Sequence, residues 1–168
     1  MEQVENSFFG SGHGASIGSL CNESITNFTV RNVTFVGTTF GARIKSDHGC
    51  GGHVWNVTYE NLTLHDVGTV IQLNQFYRAT ERTQPSTMLF DQIYFRDIKS
   101  FRNRGSGGTV GASRHPDGKL AANFNCDTQL RGGHNCDVSL SDVSFDGLGA
   151  AGLKNGMECK GVRGTATG

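Results

Sequence analysis

Arg43 and Lys45 stand two residues apart in the stretch Gly37-Thr38-Thr39-Phe40-Gly41-Ala42-Arg43-Ile44-Lys45. On a strand, that spacing sends both cations to one face and Ile44 to the other. A guanidinium offers a planar fork for two-pronged pairing with a carboxylate, and an ammonium adds a compact point charge. The chemistry these two suggest is the gripping of an acidic ligand. Alone, an Arg-x-Lys is ordinarily a solvated edge, because exposure is the default for charged side chains. Taken singly, Tyr77 reads as a half-buried packing residue and His13 as a turn histidine. What these residues do therefore depends on the elements that hold them.

Those elements repeat. Phe28-x-Val30-x-Asn32-Val33-x-Phe35 is followed by Val57-x-Tyr59-x-Asn61-Leu62-x-Leu64, by Ile93-x-Phe95-x-Asp97-Ile98 and by Val138-x-Leu140-x-Asp142-Val143-x-Phe145. Val4-Glu5-Asn6 reads as the tail of an earlier copy. Each copy alternates apolar and polar residues, breaks step at an Asn or Asp, and resumes. Such a break suits a bent strand pair, because Asn and Asp tolerate unusual backbone angles and bond to neighbouring backbone groups. Copies recur at intervals of roughly 30 to 45 residues, the range of repeat architectures. A second strand follows most copies, at Gly41 to Lys45, Val70 to Leu73 and Leu120 to Asn125. Short strands turning at Gly, Asn and Asp stack naturally into an all-β, right-handed parallel β-helix. An antiparallel sandwich also uses short alternating strands, but it rarely repeats one apolar-Asn-apolar frame so often. Between Arg102 and Lys119 the glycine-rich and Pro116-Asp117-Gly118 chemistry predicts exposed turns, and Gly105 to Gly111 does not match a phosphate-binding loop.

Composition narrows the function classes. A chain of 168 residues suits one domain, and its balanced charge carries no footprint for nucleic acid or a membrane surface. No apolar run approaches a membrane span, and nothing at the start reads as a signal peptide. Glycine is abundant and proline nearly absent (24 and 2 residues), as tight turns between many strands require. Of five cysteines, Cys126 and Cys136 flank a polar Gly-Gly turn at a spacing that suits a disulfide-closed loop. Asn-x-Ser/Thr acceptors at Asn22, Asn27, Asn32, Asn56 and Asn61 favour a secreted protein. The histidines show no metal-ligand spacing.

Four blocks carry a family resemblance. They are Gly10-Ser11-Gly12-His13-Gly14-Ala15-Ser16-Ile17-Gly18-Ser19, Arg43-Ile44-Lys45, Gly51-Gly52-His53-Val54-Trp55-Asn56-Val57-Thr58-Tyr59-Glu60-Asn61, and Ile71-x-Leu73-Asn74-Gln75-x-Tyr77. In this order and approximate spacing they resemble the polygalacturonases, family 28 of the glycoside hydrolases. The resemblance continues through the Cys126 to Cys136 loop and the Glu158-Cys159-Lys160-Gly161-Val162-x-Gly164 tail. It implies a parallel β-helix and inverting hydrolysis of α-1,4-linked galacturonic acid in pectin. It implies no metal or other cofactor, a secreted or cell-wall location, and a monomer in full-length form. The partner would be an acidic polysaccharide such as pectin or an oligogalacturonate.

Carried over by residue, Arg43 and Lys45 would bind a galacturonate carboxylate, and Tyr77 would contact the sugar. His13 would hold an acidic cluster in position rather than act as primary acid or base, and Gly12 and Gly14 would let the backbone approach the site. The family's catalytic aspartates lie in Asn-Thr-Asp and Asp-Asp blocks upstream of Gly-His-Gly. Neither block occurs in these 168 residues. The expectation is that residues 1–168 are the C-terminal part of the enzyme, inactive alone, with a truncated polysaccharide binder as the alternative reading. Cys159 would then lack a partner that the family carries further on, Cys21 and Cys50 have no assigned pairing, and an open end of the helix would leave the isolated chain marginally stable. Asp47 and Asp66 are the nearest carboxylates in sequence, and both are expected to solvate turns.

Overall fold

The computed structural model describes residues 2–78, 85–101, 121–146 and 157–167. The turns expected between Arg102 and Lys119 lie outside the described residues, as does Leu120. Every described element is a strand: β1 (Glu2–Phe9), β2 (Ala15–Leu20), β3 (Ser24–Val36), β4 (Phe40–Asp47), β5 (Gly51–His65), β6 (Thr69–Tyr77), β7 (Thr87–Phe101), β8 (Ala122–Asn125), β9 (Cys136–Asp146), β10 (Met157–Lys160) and β11 (Val162–Thr167). Among the described residues no helix is long and apolar enough to cross a membrane.

The chain alternates between two sheets. Odd strands build sheet A in the order β1-β3-β5-β7-β9-β11, and even strands build sheet B in the order β10-β8-β6-β4-β2. Every pairing is parallel, so each turn of the chain adds one strand to each sheet. That is a parallel β-helix. Its rungs are the sequence repeats, since Val33 pairs with Leu62, Leu62 with Ile98 and Ile98 with Val143.

The break residues form the corners. Asn6, Asn32, Asn61, Asp97 and Asp142 all have positive φ, as do Asn27, Asn56 and Gln92 at a second corner. One residue in this conformation turns the strand without ending it, and Asn and Asp adopt it at low cost. Stacking then puts like corners in line. Asn61 Nδ2 donates to Asn32 Oδ1 at 2.8 Å, and Asn56 Nδ2 donates to Asn27 Oδ1 at 2.7 Å. This ladder gives the Asn-x-Thr density a structural cause: the Asn turns the strand and the Thr two residues on faces out beside it.

The core lies between the sheets and is itself stacked by register. Val30, Tyr59 and Phe95 form one column of sheet A, and Ile44, Leu73 and Phe124 form one of sheet B. All six are buried. The Tyr59 and Phe95 rings stack at 5.4 Å, and those of Phe9 and Phe35 at 5.2 Å. Truncating such a ring to alanine costs about 3–5 kcal/mol.

Two disulfides fasten the turns. Cys21 bonds to Cys50 over a sequence separation of 29, and Cys126 bonds to Cys136. The first joins the turn after β2 to the turn after β4, one rung apart. Its spacing equals the Asn32-to-Asn61 repeat, and this was the signal that could have assigned it from sequence. Cys159 forms no disulfide and is exposed.

Candidate functional site

β4 starts from Phe40 and alternates as the sequence requires. Ala42 and Ile44 enter the core, while Arg43 and Lys45 take the outer face of sheet B. On β6, Gln72 pairs in register with Arg43, and Asn74 with Lys45. Simple alternation would then send Tyr77 inward. A bulge prevents this: Ser46 on β4 is opposed by both Gln75 and Phe76, so Tyr77 comes level with Asp47 on the outer face. The inward place goes to Gln75, which is fully buried and satisfied at both ends. Its Nε2 donates to Met88 O at 2.9 Å and its Oε1 accepts from Asp127 N at 2.9 Å.

The result is a cleft of about 360 Å³ whose lining includes Phe40, Arg43, Gln72, Phe76 and Tyr77. The Arg43 guanidinium lies 3.9 Å from the Phe40 ring centre and 5.1 Å from that of Tyr77. The Lys45 ammonium lies 4.0 Å from the Tyr77 centre. Cation–π contacts of this kind hold a charged head without neutralising it. Arg43 is only 3% exposed, so its charge is held in a partly dehydrated site, where electrostatic interactions strengthen.

Asp47 differs from expectation. Rather than solvating a turn, it receives Arg78 Nε at 3.2 Å and Arg78 Nη2 at 3.0 Å, a two-pronged pair at the rim of the cleft. Asp66 does sit in a turn, with positive φ and its N–H donated to Phe101 O at 3.0 Å. No carboxylate lines the cleft among the described residues.

His13 lies in the turn between β1 and β2, its ring 5.9 Å from that of Phe40. Phe40 thus stands between His13 and Arg43. It is buried to 1% exposure yet lies outside the contiguous core cluster. Gly14 explains how this turn fits. Its φ is positive, and a Cβ there would lie 2.1 Å from Phe40 O and 2.6 Å from Gly41 O. Gly12 has positive φ in open space, and its carbonyl accepts the Thr39 N–H at 2.8 Å. Both glycines therefore hold the His13 turn against the head of β4.

Tyr59 supports the site from beneath. Buried in the core on β5, it donates its hydroxyl to Arg43 O at 3.1 Å, with Ala15 O at 3.4 Å. Burial pushes the phenol far above its ordinary pKa, against the opposing hydrogen bond to Arg43, so it remains a neutral donor.

Of the sequence-predicted residues, Arg43 and Tyr77 line one cleft, Lys45 reaches its edge over the Tyr77 ring, and His13 adjoins it through Phe40. Phe40, Gln72, Asn74 and Tyr59 were not singled out from sequence. Gln72 and Asn74 alternate with Ile71 and Leu73, so their outward direction was legible there; Phe40 lay inside the Arg-x-Lys stretch. Among the described residues no group of three or more His, Cys, Asp or Glu is placed to hold a metal ion.

Comparison with known proteins agrees with the fold. The model for glycosyl hydrolases family 28 matches residues 2–167. An endo-polygalacturonase of Pectobacterium carotovorum subsp. carotovorum is 38% identical over 92 residues, covering 55% of this chain and 22% of its own. A polygalacturonase of Ralstonia solanacearum is 29% identical over 140 residues, covering 81% of this chain and 24% of its own. A probable endopolygalacturonase D of Aspergillus niger is 36% identical over 110 residues, covering 61% and 22%. The chain thus spans about a quarter of the length of these curated relatives. No solved structure matches it significantly. A match that runs from the first described strand to the last, over a stacked parallel helix, means that the chain belongs to family 28 of the glycosyl hydrolases.

Proposed function

We propose that this chain is the uronate-gripping part of a secreted, pectin-degrading hydrolase acting on α-1,4-linked galacturonic acid with inversion. The observation that carries this reading is that Arg43 and Tyr77 line a cleft with no described carboxylate in its lining, with the Lys45 ammonium held over the Tyr77 ring at its edge. Arg43 and Lys45 attract the acid group, and Tyr77 together with Phe40 fixes the direction from which it enters. His13 acts as a positioning residue at the edge of the site.

Inversion needs two carboxyl groups roughly 6.5–9.5 Å apart around the scissile bond. Asp47 at the rim is clamped by Arg78, and among the described residues no second carboxylate lines the cleft. In this reading the acid and the base come from sequence outside these 168 residues, and the chain by itself binds without cleaving.

The test pairs two assays on polygalacturonate. The chain alone is expected to bind it and release no new reducing ends. A transcript read upstream of Met1 is expected to supply Asn-Thr-Asp and Asp-Asp blocks, and the extended protein to release reducing ends of inverted configuration. Failure of the chain to bind polygalacturonate at low salt contradicts the reading. Hydrolysis by the 168 residues alone contradicts the missing acid and base.

A further inference from the structure

The outer face of sheet B continues past the cleft, and its register defines where. Lys45 on β4 pairs with Asn74 on β6, Asn74 with Asn125 on β8, and Asn125 with Lys160 on β10. This row runs across four strands with a cation at each end and carboxamides between. Lys160 is exposed, and its ammonium leans back toward the cleft, 5.1 Å from the centre of the Phe76 ring. Phe76 lines the same cleft as Tyr77 and follows Gln75 in the bulge. Two consecutive aromatic rings thus each carry a lysine, Lys45 over Tyr77 and Lys160 over Phe76.

We propose that Lys160 and Phe76 form a second uronate subsite, which takes the carboxylate of another unit of the polysaccharide gripped by Arg43 and Lys45. This rests on the uronate-binding reading above and adds the direction of the chain: along the row, across the strands. The backbones at Lys45 and Lys160 are three strand spacings apart, about 14 Å at the usual sheet spacing, and the Lys160 side chain leans back over part of that span. That is the reach of several sugar units rather than one. Asn74 and Asn125 between them offer amide donors and acceptors to sugar hydroxyls. Asn74 Oδ1 already accepts the Phe76 N–H at 2.9 Å, which holds the ring and the row together. A uniformly acidic polymer meets a cation at both ends of this row and no described acid along it.

The experiment compares digalacturonate with hexagalacturonate by titration calorimetry on the whole chain. The wild type is expected to bind the hexamer at least tenfold more tightly than the dimer. Lys160→Ala is expected to close most of that gap, and Lys160→Arg to restore it, because charge rather than length of side chain is what the subsite needs. A hexamer methyl-esterified at its carboxyl groups is expected to show no gap with either protein. If Lys160→Ala keeps the full gap, the second subsite is wrong while uronate binding at Arg43 and Lys45 stands. If the wild type binds neither oligomer, the uronate-binding reading falls as well.

Discussion

The outer faces of the two sheets are built by the same stacking rule and carry different charge patterns. On sheet A the residue before each of the first four corners alternates in sign: Glu5 pairs in register with Arg31, Arg31 with Glu60 and Glu60 with Arg96. The first contact closes as an ion pair at 2.7 Å. Arg163 on Asp137 follows suit at 2.8 Å, and Lys99 closes on Asp97 within one strand at 2.9 Å. On sheet B one such pair closes, Arg78 on Asp47 at 3.0 Å, but Arg43 and Lys45 stand over aromatic rings beside a row of amides. Opposite charges stacked between rungs neutralise one another and fix register, contributing a few tenths of a kcal/mol each. Sheet A is patterned for assembly, and the reading proposed above gives the sheet B cations an anion to hold.

The sharpest way to break this contrast is to write sheet A's pattern onto sheet B. Lys45→Glu places an acid beside Arg43 and is expected to weaken oligogalacturonate binding about a hundredfold, since a charge-assisted contact is replaced by repulsion. Thermal unfolding should change little, because the head group is at the surface. A gentler form is Asn74→Asp, which keeps the acceptor for the Phe76 N–H and adds one negative charge. It is expected to cost about tenfold in affinity at low salt and much less at high salt.

Sheet A responds in stability instead. Asn61→Ala removes the ladder bond to Asn32 and puts a Cβ residue at positive φ without side-chain help. A loss of about 2 kcal/mol is expected, with Asn61→Gly recovering roughly half, because glycine keeps the backbone angle. Chemical denaturation measures both, and affinity for uronates should not move. Tyr59→Phe joins the two sides: it removes a bond of the core to Arg43 O, so about 1 kcal/mol of stability and a several-fold loss of affinity are expected together.

The smallest effect is a pH dependence. The hydrogen bond from Arg131 lowers the Asp91 carboxyl below its usual range against the opposing effect of burial, with smaller help from the charges of Arg131 and of His53. Arg131 Nη2 lies 2.9 Å from Asp91 Oδ2, and His53 Nε2 lies 3.6 Å away. A depressed carboxyl stabilises the fold at neutral pH, and that contribution disappears as pH falls through its folded value. Arg131→Ala should therefore flatten the acid side of a melting-temperature profile by less than about 1 kcal/mol, leaving the neutral side slightly lower.

The repeat was legible because its two periods are written in different residue types. Apolar alternation at Val57, Tyr59, Leu62 and Leu64 marks the inward face, and Asn61 marks the place where the step changes. Five corners followed from that frame. β11 did not, since Val162 to Thr167 lacks both the strong alternation and an Asn or Asp corner. At the site, Arg43, Lys45 and Tyr77 were legible as residues. The device that makes Tyr77 face the cations was not: a bulge is a property of pairing, and depends on Ser46 being opposed by two residues. The Asp47–Arg78 clamp was hidden likewise, because it forms between strand ends 31 residues apart. The Asn-x-Thr acceptors show the reverse case, where a pattern suggestive of modification is first of all the signature of a corner.

The central claim is that the two faces of one stack divide assembly from anion binding. It is tested most directly by calorimetric titration of trigalacturonate into three proteins: wild type, Arg43→Ala/Lys45→Ala, and Arg31→Ala. The account predicts salt-sensitive binding by the wild type, its loss by at least thirtyfold in the double variant, and unchanged affinity in Arg31→Ala. Equal affinity in all three, with the double variant still folded, would contradict it.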